Sequence, residues 1–267
     1  MHDFATGSFL VSLAACAAAV LALVLVTWLI GRAIGRYNVI DVAWGLGFVL
    51  VAWVAFALSA GDGDDTRRVL VAVLVTLWGC RLAGYIGWRS RGRGEDPRYT
   101  EMLGDHRVPA SRALGIFLTQ AAAMWFVSLP VQVAMFEPRA PGALLYVGIA
   151  VWMVGFTFES VGDWQLQRFR ADAENRGQVM DRGLWRYTRH PNYFGDACVW
   201  WGLYLIAAQQ WVGAVTILSP LLMTWTLTRK TGKPLLERDI AQRRPGYARY
   251  VERTSGFLPL PPKRGDT

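Results

Sequence analysis

The sequence is short of charge. Asp, Glu, Lys and Arg make up 18% of its 267 residues, where a soluble domain carries about a quarter. The charges are also segregated from long apolar runs, and 53% of the chain is hydrophobic. That pattern excludes an ordinary soluble core and points to a polytopic membrane protein. Histidine and cysteine are scarce too, at three of each. One histidine is at position 2, there is no CxxC, and no ligand spacing is visible, so no metal site is expected. Cys16, Cys80 and Cys198 lie far apart in apolar runs and read as small buried hydrophobes. No basic n-region precedes the first apolar run, which therefore reads as a retained helix rather than a cleaved signal. Low-complexity tracts and fixed-period repeats are absent.

What is present is a series of seven apolar runs, near 8–31, 40–60, 69–88, 113–136, 142–162, 195–208 and 211–228. A helix of about 20 residues crosses the hydrocarbon layer. The expected fold class is an all-α integral membrane protein with about seven transmembrane helices and interfacial helices or loops, in one domain over residues 1–267. Alternate loops hold 24 Lys and Arg in one set and three in the other. The positive-inside rule then puts the N-terminus outside and the C-terminus in the cytoplasm. The net charge of +8 is explained by loops facing anionic headgroups. No nucleic-acid-binding motif is visible, so membrane lipids are expected as partners and nucleic acid is not.

Three basic-side segments, 89–112, 163–194 and 229–256, are too rich in polar groups to be plain connectors. The second continues the fifth run as an amphipathic piece, "DWQLQRFRADAEN". The third reads, through Leu235, Leu236 and Ile240, as an interfacial helix broken at Pro245-Gly246, with Tyr247 and Tyr250 interfacial. On the sparsely charged side, "GDGDD" (61–65) reads as a short loop with no functional demand, and "AAQQW" (207–211) as a tight turn.

The chemistry concentrates in "RYTRHPNYFGD", Arg186 to Asp196. Pro191 marks a helix start. Asn192, Tyr193 and Asp196 occupy the first turns of that helix, whose free N–H groups favour an anion. With Arg186, Arg189 and His190 they form an anion cradle, in which Asn192 reads an amide or ribose and Asp196 accepts from hydroxyls. The alternative is a capped helix with snorkelling arginines and interfacial tyrosines. Arg81 lies inside the third run, where a charge costs ~2.5–3.5 kcal/mol on insertion scales and should face a cavity or a partner such as Asp41. "GEDPRYTEML" places Glu95, Asp96, Arg98 and Tyr99 after the third run, after a turn at Pro97, as a closing element or as a surface charge cluster.

Five stretches in order, "DVAWGLGF", "LWGCRLAGY", "GEDPRY", "RHPNYFGD" and "PLLERDIAQRRPGYARYVERTSGFLP", resemble the steroid 5α-reductase superfamily, especially its bacterial DUF1295-type members. RHPxYxG is shared with isoprenylcysteine carboxyl methyltransferases. The resemblance implies NADPH as cofactor, held in the C-terminal half at about 150–260. Asp163 and Arg170 match the family's acid and arginine after the fifth span. Asn192, Gly195 and Asp196 match its asparagine and glycine-acid pair. Arg81 and Tyr85 match an arginine and tyrosine of the third span, and Glu237 an acid of the last helix that contacts ribose or adenine or pairs with Arg189. A basin of Arg81, Arg89, Arg91, Arg170, Arg186 and Arg189 would suit the anionic cofactor. An acid and a phenol polarise the substrate carbonyl in such enzymes, roles the resemblance gives to Asp41 and Tyr85. Trp78 stands where the family has its catalytic tyrosine. Asp41 is equally read as the N-cap of the second span.

Three functions follow as expectations. The first is an NADPH-dependent reductase of the C=C bond of a lipophilic enone, such as a 3-oxo-Δ4-steroid or related lipid, entering from the bilayer. The second is a lipid or isoprenoid methyltransferase using S-adenosylmethionine. The third is a non-enzymatic lipid-binding or transport protein. The bacterial members of the resembled family suggest a bacterial inner membrane.

Overall fold

Backbone N–H and C=O groups cannot stay unpaired in a bilayer, so an apolar run long enough to cross one must become a helix. A computed structural model describes residues 4–96, 99–100, 110–230, 237, 240 and 244–263, and among these there are helices and no strand. Pro97, Arg98, Leu235, Leu236 and most of the expected interfacial helix lie outside the described residues.

The long helices are α1 (Thr6–Ile34), α2 (Val39–Leu58), α3 (Asp65–Arg89), α4 (Ala110–Val127), α5 (Leu129–Met135), α6 (Ala143–Ala171), α7 (Pro191–Ala207) and α8 (Trp211–Arg229), followed by a short α9 (Tyr247–Arg253). Among the described residues five, α1, α2, α3, α6 and α8, are long and apolar enough to cross a membrane, and α4 with α5 makes a sixth if the bent pair is one span. The protein is thus an all-α, multi-pass membrane protein. The run expected as the sixth of seven spans becomes α7, which starts four residues earlier at Pro191 and has 17 residues. At 1.5 Å per residue that is about 25 Å, short of the ~30 Å hydrocarbon layer.

The described residues form two compact units, one of residues 1–145 with 206–219, the other of 146–205 with 220–267. In the first, α1 buries a narrow stripe, Ser12, Cys16, Val20, Val24, Thr27 and Gly31, at helical spacing. Its other faces leave Leu10, Leu21, Val26 and Leu29 exposed, which suits lipid as the surrounding medium. Helices α2 and α3 approach through glycine: a Cβ on Gly45 would lie 2.4 Å from the Gly79 carbonyl oxygen. Small residues allow such contact between membrane helices.

The run read as one span over 113–136 is bent by 41° between α4 and α5. Pro130 is the cause, since a proline has no N–H for the carbonyl four residues back. That carbonyl, Phe126, accepts instead from the Ser219 hydroxyl at 2.9 Å. The Gln132 amide donates to Ser128 Oγ at 2.8 Å, so the buried bend carries its own polar partners.

The loop before α3 has a structural use. Asp64 of "GDGDD" caps α3, accepting from the Arg67 N–H at 2.8 Å. Arg67 is fully buried. Its guanidinium donates to the carbonyls of Glu137 and Arg139 at 3.0 and 2.9 Å and to Gln209 Oε1 at 2.6 Å. The Gln210 amide donates to the buried Glu137 carboxylate at 2.7 Å. The "AAQQW" turn therefore supplies the acceptor and donor that a buried cation and anion need.

In the second unit, α6 and α7 run against each other along glycines spaced by a heptad. A Cβ on Gly155 would lie 2.5 Å from the Gly195 oxygen, and one on Gly202 would lie 2.6 Å from the Gly148 oxygen. Further along, a Cβ on Gly162 would meet Pro191 at 3.1 Å. This close antiparallel register lays the start of α7 beside the last two turns of α6.

Candidate functional site

The α6–α7 register brings two expected residues together. Asp163, next to Gly162 on α6, is buried, and its Oδ1 accepts from the Asn192 side-chain amide at 3.2 Å. Asn192 Oδ1 in turn accepts from the Tyr193 N–H at 3.1 Å. Arg170, two turns beyond Asp163, is exposed in the last turn of α6. Asp196 lies one helical turn after Asn192, on the same side of α7 and half-buried.

The turn that leads into α7 is pinned to α6 by its backbone. The Leu184 N–H donates to Gln165 Oε1 at 2.9 Å, and the Trp185 indole donates to the Gly162 carbonyl at 2.9 Å. Gly183 packs on the Gln165 side chain with φ of 58°, a left-handed conformation that favours glycine.

Arg189 and His190 form a second cluster. Arg189 is buried and donates through Nε to Glu237 Oε1 at 2.9 Å, and through Nη1 to the carbonyls of Val251 and Thr254 at 2.9 and 3.1 Å. His190 Nε2 is 3.0 Å from the same Glu237 oxygen, and its ring stacks on Tyr193 at 5.2 Å. The Arg189–Glu237 pair, one of two expected uses of Glu237, is thus formed. It ties α9 to the turn before α7. Tyr247 and Tyr250, expected at the interface, are instead buried. The Tyr250 hydroxyl donates to the Trp185 carbonyl at 2.5 Å. Burial first, then the Glu237 charge, pushes the Tyr247 phenol up to about 12, with Arg189 opposing. Burial likewise raises Tyr250.

Arg186 stands apart from Arg189. With Arg182, Arg249 and Arg253 it lines a cavity of about 700 Å³ that neither Asp163 nor Asn192 lines.

In the other unit, Asp41 sits in the first turn of α2 and not at its N-cap position, which is Asn38. Just before the helix, the Glu95 carboxylate accepts from the backbone N–H of Tyr37 and, at 2.9 Å, from that of Asn38. Asp41 Oδ1 accepts from the Tyr99 hydroxyl at 2.6 Å. An acid–phenol pair is therefore present, with Tyr99 as its phenol. Tyr99 lies in "GEDPRY", expected as a closing element or a charge cluster, and no local signal pairs it with Asp41 58 residues away. Tyr85 lies between two cations, with the guanidinium carbons of Arg81 and Arg89 each 5.5 Å from its ring centre. Trp78 is buried between α2 and α3, 5.7 Å from the Phe48 ring.

Two curated proteins are similar to the chain. "Uncharacterized protein C594.04c" of Schizosaccharomyces pombe is 26% identical over 227 residues, 72% of this chain and 63% of that protein. "3-oxo-5-alpha-steroid 4-dehydrogenase 1" of Mus musculus is 30% identical over 91 residues, 34% of this chain and 35% of that protein. The chain thus spans less than two thirds of the length of either relative. No solved structure is a significant match. The similarity to the mouse protein is consistent with the steroid 5α-reductase superfamily that the motifs resemble. The family described as "Protein of unknown function (DUF1295)" matches residues 27–254, a range that takes in Asp41, Asp163, Asn192 and Glu237. The chain belongs to the DUF1295 family.

Proposed function

We infer that the protein is a membrane reductase that uses NADPH to reduce the C=C bond of a lipophilic enone, such as a 3-oxo-Δ4-steroid or a related lipid. The observation that carries the reading is the Asp163–Asn192 pair, a carboxylate and a carboxamide held together at the α6–α7 junction. The similarity to a steroid 4-dehydrogenase supports the reaction class. NADPH would supply the hydride.

The donor set fits that group. Asp163 can accept from ribose hydroxyls, and Asn192 can donate to or accept from an amide. Arg170 is exposed and offers a guanidinium to phosphate. Arg189 bonds Glu237, Val251 and Thr254, and the resemblance gives the phosphate contact to Arg170. Asp41 and Tyr99 take the carbonyl-polarising role. The Tyr99 hydroxyl, which rests on Asp41 Oδ1, would turn to donate to a substrate carbonyl and stabilise developing enolate charge. The substrate enters from the bilayer. The basic-loop asymmetry supports a cytoplasmic C-terminus, and the resemblance to bacterial members supports a bacterial inner membrane.

Mass spectrometry of the nucleotide that co-purifies in gentle detergent tests the reading. NADP(H) is the expected finding, and an S-adenosyl compound would overturn it in favour of methyl transfer. Asn192→Ala and Arg170→Ala should each weaken NADPH binding by roughly tenfold, the scale of one hydrogen bond to a charged group. Unchanged affinity in both would move the site elsewhere.

A further inference from the structure

The cavity of about 700 Å³ in the second unit is lined by Arg182, Arg186, Arg249 and Arg253, with Asp181 as the one acidic residue among the described lining. Among the described residues none of these four guanidinium groups makes a side-chain hydrogen bond or ion pair. This contrasts with Arg189, whose guanidinium donates to Glu237 and to the carbonyls of Val251 and Thr254. The lining is held in place from behind. The turn Gly183–Arg186 is fixed to α6 through Leu184 and Trp185. Tyr250 fixes α9, which carries Arg249 and Arg253, to that same turn. The four cations are thus mounted on two elements joined by a buried hydrogen bond.

The rim is apolar. The segment after α9 returns along the turn, the Leu260 N–H donating to the Tyr187 carbonyl at 3.0 Å and the Lys263 N–H to the Arg253 carbonyl at 2.9 Å. Leu258 and Leu260, just before Pro262 of the lining, are exposed, and so is Tyr187, next to Arg186 of the lining. A basin of unpaired guanidinium groups whose flanking residues Tyr187, Leu258 and Leu260 are exposed and apolar suits a ligand that is anionic at one end and greasy at the other.

We propose that this cavity binds the phosphate headgroup of an anionic phospholipid, with the acyl chains lying along Tyr187, Leu258 and Leu260. The site differs from the Asp163–Asn192 pair and does not depend on the reductase reading.

The test is a lipid titration of the purified full chain in non-ionic detergent, with bound lipid counted by native mass spectrometry. Phosphatidylglycerol should bind more tightly than phosphatidylcholine of the same chains. Arg249→Gln with Arg253→Gln should lower phosphatidylglycerol affinity by about tenfold or more and leave phosphatidylcholine unchanged. The Lys versions of both should keep the preference. In the wild type, which needs no variant to fold, the preference should shrink as salt is raised. Equal affinity for the two lipids, a salt-independent preference, or an unaltered affinity in the Gln pair would overturn the proposal. Displacement of phosphatidylglycerol by millimolar inorganic phosphate or adenosine 2′,5′-bisphosphate would overturn it too, by assigning the basin to a soluble phosphate. Loss of NADPH binding in Asn192→Ala tests the reductase reading separately.

Discussion

Arg67 and Arg68 in the first unit, and Arg182, Arg186, Arg249 and Arg253 in the second, are the same chemical group treated in opposite ways. Arg67 is wrapped by two carbonyls and a glutamine. Arg68 donates to Ser59 Oγ at 2.8 Å and the Phe56 carbonyl at 2.7 Å, pairs with Asp65, and lies over the Phe56 ring. Both are buried. The four arginines of the second unit are exposed and have no such acceptors among the described residues. A cation that serves the fold must bring its acceptors with it, because an uncompensated charge in a low-dielectric interior is too costly. A cation that keeps its donors open is held for water, a headgroup or a ligand. Arg189 belongs with the first kind despite lying in the motif that suggested a ligand.

The largest expected effect tests the first half of that contrast. Arg67→Ala removes three buried charge-assisted hydrogen bonds, to the carbonyls of Glu137 and Arg139 and to Gln209 Oε1, and takes the neighbouring cation from the buried Glu137 carboxylate. Breaking a buried, hydrogen-bonded charge typically costs about 3–5 kcal/mol. Chemical unfolding in detergent should show a loss of that order, with earlier proteolysis of the 137–142 connection. A loss comparable to that of an exposed arginine would mean that the network is ornamental and that the contrast fails.

This network also marks where the sequence stops being readable. The helices were legible because each depends on apolar runs and on partners a turn away. The start of α7 at Pro191 and the polar cluster of its first turns followed from proline chemistry alone. Pro130 carries the same signal inside the run over 113–136, where the apolar pattern alone gives one span and the proline gives the bend. Arg67 looked like a loop charge because its partner Gln209 lies 142 residues away, and Tyr99 finds Asp41 across 58. No local pattern encodes such pairings. They arise when glycine-lined helices settle into one register, and the heptad glycines at 148, 155 and 162 were the available and unused clue. The Arg189–Glu237 pair was readable because an acid and a base in one basic-side cluster leave few other partners.

A middle-sized effect concerns the buried set around Arg189. Tyr247 has its folded pKa raised from 10.0 to about 12, by burial and then by Glu237, with Arg189 pulling the other way. A raised folded pKa means that the neutral phenol is favoured in the native state. Its contribution is full below pH 10 and is lost as the pH climbs toward 12. Unfolding followed from neutral to strongly alkaline pH should show stability falling across that window, with tyrosinate absorbance rising as it falls. Tyr247→Phe should flatten part of the decline, and Tyr250, also raised, should account for some of what remains. An identical alkaline slope in Tyr247→Phe would remove this phenol from the buried cluster and weaken the case that Arg189 is a fold-serving cation.

The smallest effect is the most exacting for the comparison. Arg249→Gln with Arg253→Gln alters two exposed residues without structural partners, and such substitutions usually move stability by no more than about 0.5 kcal/mol. Removing two like charges from a basic basin relieves repulsion, so a slight gain in detergent is the expected sign. In anionic lipid the order should reverse, because the wild type gains from headgroup binding to the native state and the variant does not. Melting both proteins in phosphatidylcholine and in phosphatidylglycerol nanodiscs therefore separates two kinds of arginine by one sign change. A loss near that of Arg67→Ala in both lipids would show that these guanidinium groups hold the fold after all, and the division between paired and open cations would collapse.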